Sequence, residues 1–244
     1  MRIQKYLAQL GFGSRRHIEQ LICQKNVRVN GLVIDLGYQC KPGDMINIGS
    51  KQVVYDPSND HFEPSVLMYH KPVGLISSRS DPEQRQTVFG QLPAIKQGRW
   101  VMVGRLDINT SGLLLFTNDG QLANRLMHPK FSMTRTYHVR VFGPIKDHIL
   151  TSMKQGINLS DGIAKVDYIK AMTTSKSMNQ WFEMRVSEGR NRIIRRLWEH
   201  FDCQVNQLIR VGYANLSLPN ALKPGQYKPL TKTQIKKLYH DVSA

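Results

Sequence analysis

A continuous apolar run at residues 113–116 constrains the fold more than any other part of the chain. The run, Leu113-Leu114-Leu115-Phe116, is followed by the turn sequence Asn118-Asp119-Gly120. A short, uninterrupted apolar segment of this kind is typical of a strand that is buried on both faces. An apolar stripe at helical spacing begins at Leu122, directly after the turn. The sequence therefore predicts a buried central strand followed by a helix.

Two further segments alternate between apolar and polar side chains, as strands with one buried face do. Their apolar positions are Tyr137, Val139, Val141, Phe182, Met184 and Val186. Other short β-type runs alternate with helical ones, beginning with Val66-Leu67-Met68-Tyr69. The expected fold class is α+β, with a mixed and largely antiparallel sheet in the larger part of the chain.

The first 49 residues indicate a separate, smaller unit. Apolar residues at helical spacing predict a helix between residues 3 and 10, and Ser14 is placed to cap a second helix. Asn30-Gly31 lies between two short β-type runs, and this pair is a strong hairpin signal because both residues tolerate positive φ. Two helices and a small hairpin sheet are therefore expected here.

Residues 50–64 are polar and rich in turn residues, which predicts a linker. We therefore expect two domains. The first covers residues 1–60, linker included, and the second covers residues 61–244.

The charge of the chain favours a polyanionic partner. Lys and Arg total 34 against 18 Asp and Glu, which gives a formal net charge of +16 and a pI near 9.9. A membrane surface is the rival polyanion, but no apolar run approaches the roughly 18 residues needed to span a bilayer. The opening residues show no apolar signal region. Three widely spaced cysteines indicate reduced thiols, so we expect a cytoplasmic protein that binds nucleic acid and no membrane.

Motifs of the common metal and nucleotide chemistries are missing from the sequence. The histidines form neither an H-E-x-x-H nor an H-x-x-H pair, and the zinc-deaminase pattern with P-C-x-x-C does not occur. The phosphate-binding patterns G-x-x-x-x-G-K-[ST] and G-x-G-x-x-G do not occur either. We therefore expect no metal site and no nucleotide or other cofactor.

Asp107 is a carboxylate in the loop before the apolar run, within a chain that is otherwise strongly basic. It follows Arg105 and precedes Thr110-Ser111-Gly112, which predict a tight turn. A side chain at this place caps the turn in many proteins. A lone acid on a basic, polyanion-binding surface is also a candidate reactive group. The local pattern leaves both interpretations open.

The segment 188–201 has the pattern of an amphipathic helix. One side carries Ile193, Ile194, Leu197, Trp198 and Phe201, and the other carries Arg192, Arg195, Arg196 and Glu199. Such a helix buries its apolar side and presents three guanidinium groups together. Arginine in place of lysine favours planar recognition of phosphate or carboxylate, and an exposed basic stripe without a ligand is the alternative.

The stretches SRRHIEQLICQKNVRVNG (14–31) and KPGDMINI (41–48) resemble the alpha-L RNA-binding domain of the ribosomal-protein S-four type. The resemblance covers nearly all of the first 49 residues. It implies that basic side chains of this unit hold the backbone of structured RNA, namely Arg15, Arg16, Lys25 and Arg28. On charge alone, the same residues also fit a solvated helix face.

Five later blocks resemble pseudouridine synthases, in the branch that modifies ribosomal RNA and carries an N-terminal alpha-L domain. They are HKPVGLISS (70–78), GRLDINTSGLLLFTNDG (104–120), RTYHVRVFG (135–143), EGRNRIIRRLWE (188–199) and LIRVGYANLSLP (208–219). The stretches NDGQLANRLMHP and YHVRVFG are most similar to the synthases of large-subunit RNA. The similarity spans essentially the whole chain, with the blocks in the order that the family has.

The resemblance implies roles at matching positions. Asp107 matches the catalytic aspartate, which attacks or otherwise enables cleavage of the glycosidic bond of uridine. Tyr137 matches the aromatic residue that stacks on the target base and is a candidate for removing its carbon-5 proton, whereas alternation alone makes it an ordinary strand tyrosine. Arg195 matches the basic residue that pairs with the aspartate and keeps it ionised. Further RNA contacts are expected from Arg105, beside the flipped nucleotide, and from Arg190, Arg192 and Arg196.

The resemblance therefore implies an enzyme that isomerises uridine to pseudouridine in ribosomal RNA. Its expected partner is 23S rRNA or a large-subunit precursor, and it is expected to act as a monomer. The reaction needs no cofactor, because an isomerisation involves no net redox change or group transfer. The same reaction on 16S rRNA stays open, as does a noncatalytic RNA-binding factor in ribosome assembly. Retention of the aspartate, tyrosine and arginine together argues against the second alternative.

Overall fold

A computed structural model describes residues 1–60, 63–172 and 178–243 of the chain. These residues form two compact units. The first comprises Met1–Ser65 together with Ala94–Val101 and Thr117–Gly120, and the second comprises the other described residues. The division of the chain into domains after residue 60 stays a prediction.

The first unit combines two helices with a four-stranded antiparallel sheet of order β2-β1-β3-β4. Its elements are α1 (Ile3–Gln9), α2 (Arg15–Cys23), β1 (Val27–Val29), β2 (Leu32–Val33), β3 (Met45–Ile48) and β4 (Lys51–Val54). Apolar side chains from both helices and from the sheet form one core, in which Ile3, Ile18 and Ile46 are fully buried.

Two local predictions for this unit are confirmed. The Ser14 hydroxyl caps α2 by accepting a hydrogen bond from the His17 amide at 3.0 Å. Asn30 and Gly31 have φ angles of 52° and 82°, and the hairpin that they close joins β1 to β2. Positive φ at both central residues is the requirement of a type I′ turn.

The predicted linker at residues 50–64 is wrong in its first part. Lys51–Val54 forms β4, which pairs with β3. Tyr55 then packs edge-on against Tyr6, with ring centroids 4.7 Å apart. The strand was not recognisable because its side chains are mostly exposed and lack the apolar alternation of a half-buried strand.

The rest of the chain supplies the larger sheet and four helices within the described ranges. The elements are β5 (Val66–Lys71), β6 (Val101–Val103), β7 (Ser111–Thr117), α3 (Gly120–Met127), β8 (Arg135–Phe142), α4 (Asp147–Gln155), β9 (Ile157–Leu159), β10 (Gly162–Ala164), β11 (Tyr168–Ala171), β12 (Asn179–Val186), α5 (Ile193–Glu199), β13 (Gln204–Tyr213), β14 (Leu216–Ser217), β15 (Tyr227–Pro229) and α6 (Lys232–Asp241).

The larger sheet is mixed and mostly antiparallel. Seven strands lie in the order β11-β12-β8-β13-β7-β5-β15, with β14 paired to β13 and β6 paired to β7. Strands β11, β12, β8 and β13 run antiparallel in turn, whereas β13 and β7 are parallel. Strands β9 and β10 form a separate hairpin. The predicted α+β fold class is confirmed.

Strand β7 is the buried strand that the apolar run predicted, because residues 113–116 are completely inaccessible to solvent. Gly112 of β7 lies beside Arg210 of β13 with a φ of +109°. A Cβ atom at this glycine would lie 2.2 Å from the Arg210 carbonyl oxygen. Glycine is therefore required for the close approach of the two strands, and this approach fixes the chain shortly after Asp107.

Candidate active site

A cavity of about 640 Å³ opens beside β8 and β13 in the second unit. Asp107 and Tyr137 both line it, so the structure brings together two of the three residues predicted to be catalytic. Its charged lining consists of Arg105, Arg135, Arg190, Arg192, Arg210, Asp107 and Glu188. Because arginines outnumber carboxylates, the cavity suits an anionic ligand.

Asp107 stands on a loop, residues 106–110, that we call the aspartate loop. Every carbonyl group of this loop accepts a hydrogen bond. The donors are Ser77 Oγ to Leu106, Lys71 Nζ to Asp107 and to Thr110, the Gly74 amide to Ile108, and Arg195 Nη2 to Asn109. The Thr110 amide also donates to the Asp107 carbonyl at 3.0 Å and closes the turn. The backbone that carries Asp107 is therefore held at each residue.

The Asp107 carboxylate is half-buried and makes no hydrogen bond or ion pair with any residue in the described ranges. The turn is closed by the backbone, so the interpretation of Asp107 as a side-chain turn cap does not hold. The structure thus leaves both carboxylate oxygens available to a ligand in the cavity.

Lys71, at the end of β5, supports the aspartate loop and was not predicted as a site residue from the sequence. Its side chain is fully buried, and Nζ donates to the carbonyls of Asp107 at 3.1 Å, Thr110 at 2.9 Å and Pro72 at 3.0 Å. An ammonium group has three N–H donors, which match these three acceptors. Burial lowers the pKa of Lys71 to about 8, and the negative charge of Asp107 opposes that shift.

Arg195 supports the same loop from α5. It is buried, and its guanidinium donates to the carbonyls of Val205 at 2.8 Å and Asn109 at 2.9 Å. Burial and the nearby Arg192 lower its pKa, and the charge of Asp107 opposes them. The ion pair between Arg195 and Asp107 that the resemblance implied is not formed within the described residues, and the two terminal nitrogens of Arg195 donate to backbone carbonyls. Its catalytic role stays a prediction.

Tyr137 lies on β8 with its side chain 9% exposed at the cavity. It is directly opposite Arg210 on β13. Side chains of directly opposed residues in an antiparallel pair project on the same face of the sheet, about 4.5–5.5 Å apart at Cβ. Tyr137 and Arg210 are therefore neighbours in the cavity wall.

The arginines near α5 do not form the shared basic stripe that the helical pattern predicted. The helix is Ile193–Glu199, which is shorter than the predicted segment. Arg192 precedes it in the left-handed conformation, with a φ of 49°, and is exposed. Arg195 is buried, and Arg196 binds the carboxylate of Asp161. The guanidinium groups of Arg192, Arg195 and Arg196 therefore lie in three different environments.

Arg190 and Arg196 both bind the turn of the β9–β10 hairpin. Arg190 contacts Asp161 at 2.9 Å and Glu188 at 2.6 Å, and also donates to the carbonyls of Gly162 and Ile163. Hydrogen bonds and positive charge, chiefly from Arg196, lower the pKa of Asp161 to about 2. Arg190 and Arg196, which were predicted to bind RNA, therefore form their contacts with the protein itself.

The other cations predicted to bind RNA have exposed side chains. In the cavity rim they are Arg105 and Arg192, and in the first unit they are Arg15, Arg16, Lys25 and Arg28. Arg15 and Arg16 occupy the first turn of α2. Their contacts with RNA stay a prediction.

Across residues 1–60, 63–172 and 178–243 there is no group of three or more His, Cys, Asp or Glu side chains that could hold a metal ion. In the same ranges, no helix combines the length and apolar character that a membrane span requires. Cys23, Cys40 and Cys203 form no disulfide, and the latter two are buried.

Comparison with known families agrees with this geometry. The family model for the S4 domain matches residues 1–46. The model for RNA pseudouridylate synthase matches residues 65–200, which is more than half of the chain. The chain belongs to the RNA pseudouridylate synthase family. The matched range of this synthase family includes the aspartate loop, Tyr137 and Arg195.

Curated members of the family resemble the chain along nearly all of its length. The ribosomal large subunit pseudouridine synthase B of Xylella fastidiosa is 45% identical over 243 residues, which are 97% of this chain and 50% of that protein. The protein of the same name from Buchnera aphidicola subsp. Baizongia pistaciae is 42% identical over 242 residues, 96% of this chain and 95% of its own. The chain thus spans about half the length of the first relative and nearly all of the second.

Solved structures agree with the family assignment. A crystal structure of a pseudouridylate synthase aligns with a TM-score of 0.66 and 26% sequence identity, covering 98% of this chain and 99% of that one. A chain of an H/ACA RNP bound to a substrate RNA containing 2′-deoxyuridine aligns with a TM-score of 0.51 and 19% identity, covering 69% of this chain and 53% of its own. The second likeness concerns the fold alone.

Proposed function

We propose that this synthase-family chain isomerises uridine to pseudouridine in ribosomal RNA, and that its target lies in 23S rRNA of the large subunit. One observation carries the proposal. The Asp107 carboxylate has no partner among the described residues, stands on a loop whose carbonyls are all bound, and shares a cationic cavity with Tyr137. A protein that only bound RNA would gain nothing from an unpaired acid at this place. The name shared by the relatives supports the large-subunit target.

The cavity is lined by side chains whose chemistry suits the steps of this reaction. The target uridine leaves its stack, at a cost of a few kcal/mol, and its base stacks on Tyr137. Asp107 enables cleavage of the bond between C1′ and N1, either by attacking C1′ or by taking the proton from C2′. The uracil rotates and its C5 bonds to C1′, which breaks the bond between Asp107 and C1′ in the first route and is accompanied by return of the proton to C2′ in the second. The C5 proton then leaves, and N1 takes up a proton. The RNA keeps all its atoms, so no cofactor is consumed.

The exposed cations fit the delivery of the RNA. Arg15, Arg16, Lys25 and Arg28 are placed to bind phosphates around the target, and Arg105 and Arg192 lie at the cavity itself. Phosphate contacts of this kind supply affinity without reading sequence. We propose that the chain acts as a monomer on 23S rRNA or on a large-subunit precursor.

A complementation experiment tests the proposed function. Ribosomal RNA is isolated from cells that lack the protein and from the same cells carrying the wild type, Asp107→Asn or Asp147→Asn. Pseudouridine-specific chemical mapping should show one reverse-transcription stop that disappears in the deletion. The wild type and Asp147→Asn should restore it, because Asp147 is an exposed residue of α4 outside the cavity. Asp107→Asn should not restore it, because an amide is neither a nucleophile nor a base here.

Each alternative has its own outcome in this experiment. A stop that returns with Asp107→Asn would show that the site is assigned wrongly. A lost stop in 16S rRNA would contradict the large-subunit target but not the reaction. A deletion that removes no stop, from a protein that still binds ribosomal RNA, would favour the noncatalytic assembly factor.

A further inference from the structure

Arg210 is a buried arginine in the wall of the candidate active site, and its guanidinium is only partly engaged. It lies on β13, is 2% exposed and lines the cavity with Asp107 and Tyr137. Its Nε donates to the Leu113 carbonyl at 2.8 Å, but its buried Nη2 has no hydrogen-bond partner. Within the described ranges, Arg210 also forms no ion pair.

A second buried arginine nearby has hydrogen-bond partners on both of its terminal nitrogens. Arg135 donates from Nη1 to the carbonyls of Met133 at 2.8 Å and Ser187 at 3.0 Å, and from Nη2 to the Tyr213 hydroxyl at 3.4 Å. Both guanidinium groups pack on the ring of Tyr213, at 5.2 Å for Arg135 and 5.0 Å for Arg210. Guanidinium stays charged in proteins, and burying such a charge without an acceptor is strongly unfavourable. Arg210 therefore needs an acceptor that the described residues do not supply.

The missing acceptor is expected in the cavity beside Tyr137. Arg210 and Tyr137 are directly opposed across β13 and β8, so a flat ligand stacked on Tyr137 lies within reach of Arg210. The guanidinium is too deeply buried to serve phosphates at the protein surface. Of the two carboxylates in the lining, Glu188 is bound to Arg190 at 2.6 Å, and Asp107 is required for the reaction.

We propose that Arg210 holds the uracil while it is detached from the ribose. This inference rests on the proposed function. When the bond between C1′ and N1 breaks, its electron pair stays on the uracil, and the negative charge spreads to the carbonyl oxygens of the base. This holds whether Asp107 attacks C1′ or takes the C2′ proton. Arg210 Nη2 donates to one of these oxygens.

The proposed hydrogen bond from Arg210 is strongest while the uracil is detached and negatively charged. The charge on uracil disappears once C5 has bonded to C1′, the C5 proton has left and N1 has been protonated. A cation that binds the detached anion more strongly than either the uridine or the pseudouridine lowers the barrier and also retains the base. Arg210 is on this view a catalytic residue, because it contacts the reacting base.

Partitioning of the detached base tests the proposal. In Arg210→Gln and Arg210→Lys, uracil should escape and water should take its place on C1′, giving free uracil and an abasic RNA. Loss of one charge-assisted hydrogen bond should slow pseudouridine formation about 10- to 100-fold while the affinity for RNA stays unchanged. The matched control is Arg140→Gln, which changes an exposed arginine of β8 outside the cavity and should neither slow pseudouridine formation nor release uracil.

A measurement on the wild-type chain decides the matter even where a variant does not fold. Barbiturate, a pyrimidine that is an anion at neutral pH, should bind at least about tenfold more tightly than neutral uracil in calorimetry, because an anion accepts a stronger hydrogen bond from the buried Arg210 guanidinium than a neutral carbonyl does. Equal affinities, or folded Arg210 variants that release no uracil, would overturn the proposal. A wild type that forms no pseudouridine in any ribosomal RNA would instead overturn the proposed function.

Discussion

Replacing Lys71 with methionine measures how much the support of the aspartate loop contributes to stability and to activity. Methionine fills a similar volume but has no N–H groups, so the carbonyls of Pro72, Asp107 and Thr110 lose a donor. The Asp107 carbonyl keeps the Thr110 amide as a second donor. The Lys71→Met protein is therefore expected to fold with a loosened loop.

The size of the effect is the difference between two opposing terms. A hydrogen bond to a charged group contributes about 1.5–3 kcal/mol, so three contribute roughly 5–9 kcal/mol in total. Burial of the ammonium opposes folding, as the lowered pKa of Lys71 indicates, and removing that charge returns several kcal/mol. We expect a net loss of about 2–4 kcal/mol in the free energy of unfolding.

Urea unfolding monitored by circular dichroism measures the loss. The control Lys170→Met changes an exposed lysine of β11 and should alter stability by less than about 0.5 kcal/mol. Activity on the RNA should fall mainly in kcat, because the loop positions the carboxylate and does not bind the RNA backbone. A Lys71→Met protein with the wild-type unfolding midpoint and the wild-type kcat would refute the role of this lysine.

The difference in stability between the wild type and Lys71→Met should depend on pH, and the pKa of Lys71 determines the sign of that dependence. The pKa of Lys71 is about 8 in the folded protein, against its ordinary value of 10.5. Between these values the unfolded chain binds a proton that the native state does not, so the stability of the wild type rises with pH in this window. Lys71→Met lacks this contribution. The stability difference between the two proteins should therefore grow from about pH 8 to pH 10.5, and a difference that stays constant would contradict the shift.

Two further variants test other parts of the chain. The pKa of Asp161 is about 2 in the folded protein, so its contribution to stability is present above about 3.8 and is lost as the pH falls toward 2. Asp161→Asn should flatten acid unfolding in that window, and a circular dichroism titration identical to that of the wild type would contradict this. Combined Arg15→Ala and Arg16→Ala substitutions should weaken RNA binding and reduce the slope of log affinity against log salt by about 2. An unchanged slope would remove both residues from the RNA contact.

Much of the fold was predictable because its signals are local. The apolar run at 113–116 predicted β7, alternation predicted β8 and β12, and Asn30-Gly31 predicted the first hairpin. Strand β4 carries no such pattern, since it joins the sheet through backbone hydrogen bonds to β3. Backbone pairing depends on the neighbouring strand and leaves little trace in a single sequence.

The candidate site was predictable only where a family motif marks it. Asp107 and Tyr137 lie in blocks that resemble pseudouridine synthases, and both line one cavity. The burial of Lys71 was not predictable, although Lys71 falls in the block at 70–78, because two of its three acceptors lie 36 and 39 residues away in sequence. Arg196 follows the helical pattern of an exposed cation, yet its partner Asp161 comes from a hairpin 35 residues earlier. Such contacts depend on the tertiary fold, which local periodicity does not encode.

The aspartate loop is anchored through its backbone and not through the side chains of its exposed residues. The loop is held through carbonyl groups, and every amino acid carries one. The side chains of Ile108, 41% exposed, and of Asn109, also exposed, take no part in that anchoring. Both can therefore be exchanged while the carboxylate between them and β6 stays in place. The position of the Asp107 carboxylate thus does not depend on which side chains its two exposed neighbours in the loop carry.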